Sequence, residues 1–316
     1  MSHPTINTTA IAFMGSQTVM PAATTSDVSS AALGTLDATR KVVAAIGMPD
    51  LKGKRVLVKP NFNTADPSPG STHIDTLRTM VSLVKAQGPA SVAIGDRSGP
   101  ANTTKVFQEK GVFDLGKETG VECIVFDKMP KDRWTRIVPA GSHWRNGFLF
   151  AKPVLEADAV IGLCCLKTHQ YGGHFTMSLK LTTGMVHGSN MTELHTSVIS
   201  QRAMIAEMNT AYSPALIVMD GVEAFYEGGP VTGKRWKADM TFAAKDRIAM
   251  DAVGVAALKM HGTTRKIESR GVFEQDQIKR AVELGIGVSG PDDIEIVPLD
   301  DEAAKVAEKL RDILDS

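Results

Sequence analysis

Short apolar runs alternate with segments whose apolar residues recur every three or four positions. "RVLVKP", residues 55–60, reads as a buried strand, and beyond it Ile74, Leu77, Val81 and Val84 fall at helical spacing. "SVAIGD" (91–96) and "VECIVFD" (121–127) predict two more strands, with the helix-like "NTTKVFQEKG" between them. "DAVIGLCC" (158–165) and "ALIVMD" (215–220) are strands of the same buried type. Between these two a helix is expected to open at Asn190, with Glu193 three residues on as in a capping box. Its apolar stripe would be Leu194, Val198, Ile205 and Met208. The helix "DRIAMDAVGVAALKM", the segment "FEQDQIKRAVEL", the strand "IEIVPL" and an amphipathic helix with Val306, Ala307, Leu310 and Leu314 complete the pattern.

This alternation predicts an α/β fold on a mostly parallel, doubly wound sheet. "RIVPAG" and "GFLFAK" flank a turn-rich piece holding Trp144, with Trp134 just ahead, and predict an antiparallel ribbon inserted as a flap near residues 128–153. No repeat or clean linker divides the chain, so 1–316 is expected to form one α/β unit, with a two-lobed form compatible.

Composition narrows the function. Thirty-five basic residues balance thirty-five acidic ones, so no global field favours nucleic acid or an acidic membrane surface. No apolar run approaches the ~18 residues that span a bilayer. The N-terminal "MSHPTINTTAIAFMGSQTVMPAATTSD" lacks a basic region and a sustained apolar core, and reads as mature protein rather than a signal peptide. Cys123, Cys164 and Cys165 form no CxxC pair, and three thiols cannot supply the four ligands of an iron–sulfur cluster. They are expected to be reduced thiols in a cytoplasmic protein, with Cys164 and Cys165 filling the core faces of their strand. Assembly as a homo-oligomer stays open.

Two motif matches fail on context. "GIGVSG" (285–290) follows a helix and precedes a strand, the reverse of a dinucleotide fingerprint, and is expected to be a helix end and turn. "GGPVTGKR" (228–235) ends in Arg235 where a phosphate-binding loop needs Ser or Thr, and "WKADMTF" after it does not begin a helix. It remains a surface loop or a glycine-rich lid. No GxSxG elbow and no HExxH helix is present.

The informative pattern lies at the strand ends, where open parallel sheets bind ligands. The first strand runs into Lys59-Pro60-Asn61-Phe62-Asn63 and the second into Asp96-Arg97-Ser98-Gly99. The fourth gives Lys167-Thr168-His169 and the fifth Asp220-Gly221. Lys59, Arg97, Lys167 and Lys180 offer positive charge. Asn61, Asn63, Ser98, Thr103, Thr104, Thr176 and the amides near Gly99, Gly172 and Gly173 offer neutral donors, a mixture suited to a small carboxylate or phosphate. His169 is the expected general acid or base, with Lys167 and Asp96 beside it. A second reading places a divalent metal on His169, His174 and Asp220, with His187 and His195 nearby in sequence. The histidine spacings match no compact ligand signature, and adjacent lysines oppose a cation. Each polar residue alone also fits a turn or an exposed loop; their coincidence at one rim favours a site.

The stretches "VLVKPNFN", "IGDRSG", "VLEADAVIGLCCLKTH", "FTMSLK", "MDG", "EGGPVTG" and "DRIAMDAVG" occur in this order over about residues 54–255. In them the chain resembles domain-of-unknown-function family 362. Some relatives carry a ferredoxin-like module or an export signal; neither pattern is read in these residues, so no direct electron-transfer role is expected. Leu181 stands where the family usually shows asparagine. The resemblance names no reaction; it implies that Lys59, Asn61, Asp96, Lys167, His169, Thr176, Lys180 and Asp220 belong to one site. In architecture the chain also looks like the nickel-pincer lactate racemase family, whose paired-histidine motifs it does not reproduce.

Overall fold

A computed structural model describes residues 7–13, 30–171 and 174–316, with side chains from residue 37 onward. The N-terminal stretch 1–27 lies mostly outside these residues, and the Gly172 and Gly173 amides wholly so. In chain order the strands are β1 (Asn7–Phe13), β2 (Arg55–Lys59), β3 (Ser91–Asp96), β4 (Glu122–Val125), β5 (Trp134–Ile137) and β6 (Phe148–Ala151). They continue with β7 (Ala159–His169), β8 (His174–Phe175), β9 (Leu216–Gly228), β10 (Gly233–Ala244) and β11 (Ile294–Pro298). The main sheet runs β11-β1-β10-β9-β7-β2-β3-β4, with β8 paired to β7 outside that path.

From β9 through β7, β2 and β3 to β4 every pairing is parallel. Strands β10 and β1 add antiparallel neighbours at one side. The fold is thus the expected α/β arrangement with helices on both faces. The helix Arg247–His261 covers one face and is buried without a break from residue 247 to 258. The helix Ile74–Ala86 and its neighbours cover the other, around Leu77, Met80, Val81 and Val84. Coverage on both faces is why β7 is buried at all eleven positions and reads as an apolar run as far as Leu166. Strands β5 and β6 form the expected ribbon, packed through Trp134, Trp144, Phe148 and Phe150 as a third core. Among the described residues no helix is long and apolar enough to cross a membrane.

Several local expectations change. β9 does not stop at Asp220 but continues to Gly228 and turns into β10, which contains "WKADMTF". The capping box does not form: Asn190 Oδ1 accepts the Leu149 N–H at 3.0 Å, and Glu193 Oε1 accepts the Arg145 N–H at 2.7 Å. That helix ends at Thr196, and a second spans Gln201–Met208, which leaves Val198 exposed in the break. The "GIGVSG" stretch does lie between a helix and a strand, with Gly285 at φ 65°.

Candidate functional site

Chain order creates the cleft. From β2 the sheet grows outward through β3 and β4, and the chain then returns to place β7 on the opposite side of β2. Neighbouring parallel strands whose connections leave in opposite directions open a crevice at their carboxyl ends. β2 ends at Lys59, paired with Gly162, while β7 runs on to His169. This overhang carries Lys167, Thr168 and His169 over the crevice. The chain after β2 folds back above it, with Thr72 N–H donating to Asn61 O at 2.9 Å and Phe62 bridging Ser71.

An inner cavity of about 40 Å³ lies at this point. Lys59, Arg97, Lys167 and Lys180 line it, with Asp96, Asn61, Asn63 and Thr176. Lys59 Nζ sits 2.5 Å from Asp96 Oδ1 and also donates to Pro60 O at 2.7 Å. Asp96 further accepts the backbone N–H groups of Phe62 (2.9 Å) and Arg97 (2.7 Å). Burial pushes the Asp96 carboxyl up and the Lys59 amine down, against their mutual attraction. Arg97 donates to the carbonyls of Val186, Ser98 and Thr183, which fixes the guanidinium and leaves two of its five N–H groups free. Lys167 Nζ donates to Gly70 O at 2.6 Å.

Lys180 belongs to the short helix Ser178–Leu181. Asp251, fully buried on the helix Arg247–His261, accepts Ser178 N–H at 2.7 Å and Leu179 N–H at 3.1 Å, so it caps that turn from a neighbouring helix in the same core. Burial drives Asp251 up to about 7. Burial, followed by the like charges of Lys167 and Arg97, brings Lys180 down to about 7. Leu181, in the position where the family resemblance implies asparagine, is buried against the backbone of β7 at Gly162.

A larger cleft of about 550 Å³ shares Asn63, Arg97, Gly99, Lys180, Thr183 and Pro230 with the inner cavity. His169, Tyr171, Met191, His195 and Val231 complete much of its wall. The "GGPVTG" loop forms part of that wall, held to β7 by Gln170 N–H to Gly229 O and by Thr168 Oγ1 to Gly228 O. Burial and the lysines hold His169 well below the usual imidazole range, so its ring is neutral near pH 7. Its Nδ1 accepts the Tyr171 backbone N–H at 3.1 Å, which puts the ring proton on Nε2. The ring therefore offers a hydrogen-bond donor, and it can take up a proton only by giving up that backbone contact.

The remaining expected residues part company. Ser98 is buried and lines neither cavity; its N–H meets Thr103 Oγ1 at 2.9 Å. Thr104 faces a separate groove with Gln108 and Asp114, because its helix turns it away from the crevice. Asp220 is buried and lines neither cavity, accepting the N–H groups of Val222 (3.2 Å) and His73 (3.4 Å). His174, at φ 53°, is surrounded by Arg202, Lys266, Asp276 and Arg270, whereas His169 has Lys180, Lys167 and His195 about it. His169, His174 and Asp220 thus form no common ligand set. Among the described residues no group of three His, Cys, Asp or Glu side chains could share a metal ion. Cys164 and Cys165 are buried, and burial raises both thiols.

Three contributors escaped the sequence reading. Gly184 packs so closely that a Cβ there would stand 2.6 Å from both Lys59 Nζ and Asp96 Oδ1. Lys110 reaches Asp66 O at 3.2 Å over the Phe62 ring, where burial lowers its amine and Asp220 and Asp66 counter that in part. Asp251 had a signal: an acid inside the unbroken apolar helix run "AMDAVGVAAL" needs a buried partner.

Strand order and polar strand ends define an α/β protein with a cleft at its switch point. Residues 56–256 match the family described as Domain of unknown function (DUF362), and the chain belongs to that family. The thylakoid-associated protein sll1697 of Synechocystis is 26% identical over 219 residues, 67% of this chain and 65% of that protein. The match thus spans less than two thirds of that relative's length. The lactate racemase apoprotein of Thermoanaerobacterium thermosaccharolyticum aligns with a TM-score of 0.46 at 14% identity, over 87% of this chain and 84% of that one.

Proposed function

We propose that this chain is an enzyme whose cleft binds a small carboxylate- or phosphate-bearing substrate and works on it by acid–base chemistry. The charge balance of the inner cavity carries this reading: four basic side chains line it, and its one acidic lining residue, Asp96, is already held by Lys59. Each unpaired buried cation costs several kcal/mol. A bound anion offsets that cost for Arg97 and Lys167, and for Lys180 in its protonated form. Arg97 and Lys167 retain free donors to hold it, and Asn61, Asn63 and Thr176 add neutral ones. His169 would direct its Nε2–H at charge developing on a substrate oxygen, and Lys180 would exchange a proton.

Calorimetric titration with phosphate, oxalate and acetate, set against acetamide, tests the anion site. The anions are expected to bind and acetamide to fail. Lys167→Met is expected to weaken binding by about 10- to 100-fold, the loss of one charged hydrogen bond. Folded protein that binds none of the anions ends the reading.

A further inference from the structure

Lys180 stands apart from the other cations of the cavity. Lys59 is held by Asp96, Lys167 by a carbonyl and Arg97 by three carbonyls. Among the described residues the Lys180 amine has neither a hydrogen-bond acceptor nor an ion-pair partner, and the charges that act on it, Lys167 and Arg97, share its sign. It lines both the inner cavity and the outer cleft, so it stands where the two meet. Asp251 pins the turn that carries it. An amine desolvated and set beside fixed cations sheds its proton and becomes a nucleophile.

Building on the anion-binding reading, we propose that Lys180 forms a Schiff base with its substrate, and that the substrate class is the small 2-oxo acids. Arg97 and Lys167 hold the carboxylate, which sets the adjacent ketone carbon before the Lys180 amine. The nitrogen lone pair forms the C–N bond as the C=O π bond opens to oxygen, and His169 Nε2–H donates to that oxygen as charge builds on it. A proton passes from nitrogen to oxygen to give the carbinolamine. A second proton, taken from solvent, lets the hydroxyl leave as water and yields the protonated imine. The net change is ketone plus protonated amine to iminium plus water, with no oxidant or reductant. The outer cleft, with Tyr171, Met191 and Val231 in its wall, accommodates an apolar substituent on the oxo acid. A pKa near 7 leaves Lys180 a substantial neutral fraction at physiological pH. A phosphate ester without a carbonyl would bind but not react.

The test incubates the full chain with pyruvate or phenylpyruvate and sodium borohydride, followed by peptide mass mapping. A parallel calorimetric titration with pyruvate and oxalate omits the hydride. The expected result is a reduced adduct on the peptide holding Lys180, none with acetone, and loss of the adduct in Lys180→Arg. Pyruvate binding without an adduct, or an adduct on another lysine, overturns the Schiff-base proposal and leaves anion binding standing. Failure to bind both pyruvate and oxalate removes both readings. If Lys180→Arg does not fold, the wild-type peptide map decides alone.

Discussion

Lys59 Nζ and Asp96 Oδ1 meet at 2.5 Å across the ends of two adjacent parallel strands, with each residue 1% exposed. Attraction at that depth works against a large desolvation cost, so the pair matters most when one partner is lost. Asp96→Ala strands a buried ammonium and the N–H of Phe62, while the Arg97 N–H is left with Gly184 O alone. The expected loss is about 3–5 kcal/mol in urea unfolding. Adding Lys59→Met should restore a large part of it by removing the orphaned charge. A double variant as unstable as the sum of both singles would refute this account.

Gly184 is the third member of that contact, and its carbonyl also accepts the Arg97 N–H at 3.1 Å. A methyl group there must push the Lys59–Asp96 pair apart or shift the turn. Gly184→Ala is expected to cost about 1–3 kcal/mol, as overpacking typically does. Gly188→Ala, only four residues on, meets nothing within 4 Å and should leave the melting temperature unchanged. Equal melting temperatures for the two variants would show that the cavity floor yields freely.

The sequence made the parallel half of the sheet readable because covered strands carry no polar residues until they end. That abrupt change marked Lys59, Asp96 and Lys167, and the structure brings these together with Asn61, Asn63, Arg97, Thr176 and Lys180. β10 was hidden, since its outer half, "GKRWK", is exposed and polar. Asp220 was misplaced for a related reason. It looked like a strand end, but β9 continues past it with a register shift opposite Cys165 and Lys167. Thr104 and His174 illustrate a further limit: nearness to a strand end in sequence does not say which way a side chain leaves the backbone.

Asp251 should make stability depend on pH with an unusual sign. Its carboxyl lies near 7 in the folded chain, above the 3.8 of an unperturbed group. The folded state therefore holds the proton more tightly, and the contribution is fully present below about pH 4 and lost as pH rises through 7. About three units of separation correspond to roughly 4 kcal/mol at most. Asp251→Asn keeps a neutral oxygen for Ser178 or Leu179 and cannot titrate. The stability difference, wild type minus variant, should fall from pH 4 to 7 and then level off. A constant difference across that range would show Asp251 to be ionised throughout.

His169 should contribute with the opposite sign. Burial and two lysines hold its ring below the 6.5 of a free imidazole, so the unfolded chain takes up the proton first as pH falls. Its stabilising contribution is complete above about pH 6.5 and is lost as pH drops toward the folded value, by about 1.4 kcal/mol for each unit of separation. Urea midpoints of wild type and His169→Gln between pH 8 and 5 isolate this effect, since every other group is common to both. The wild-type advantage should shrink below pH 6.5. Nitrogen-resolved NMR of the ring at pH 7 should find Nε2 protonated and Nδ1 bare, as the Tyr171 N–H requires. A charged ring at that pH would mean that an anion already sits against it, and the fall in stability would then reverse.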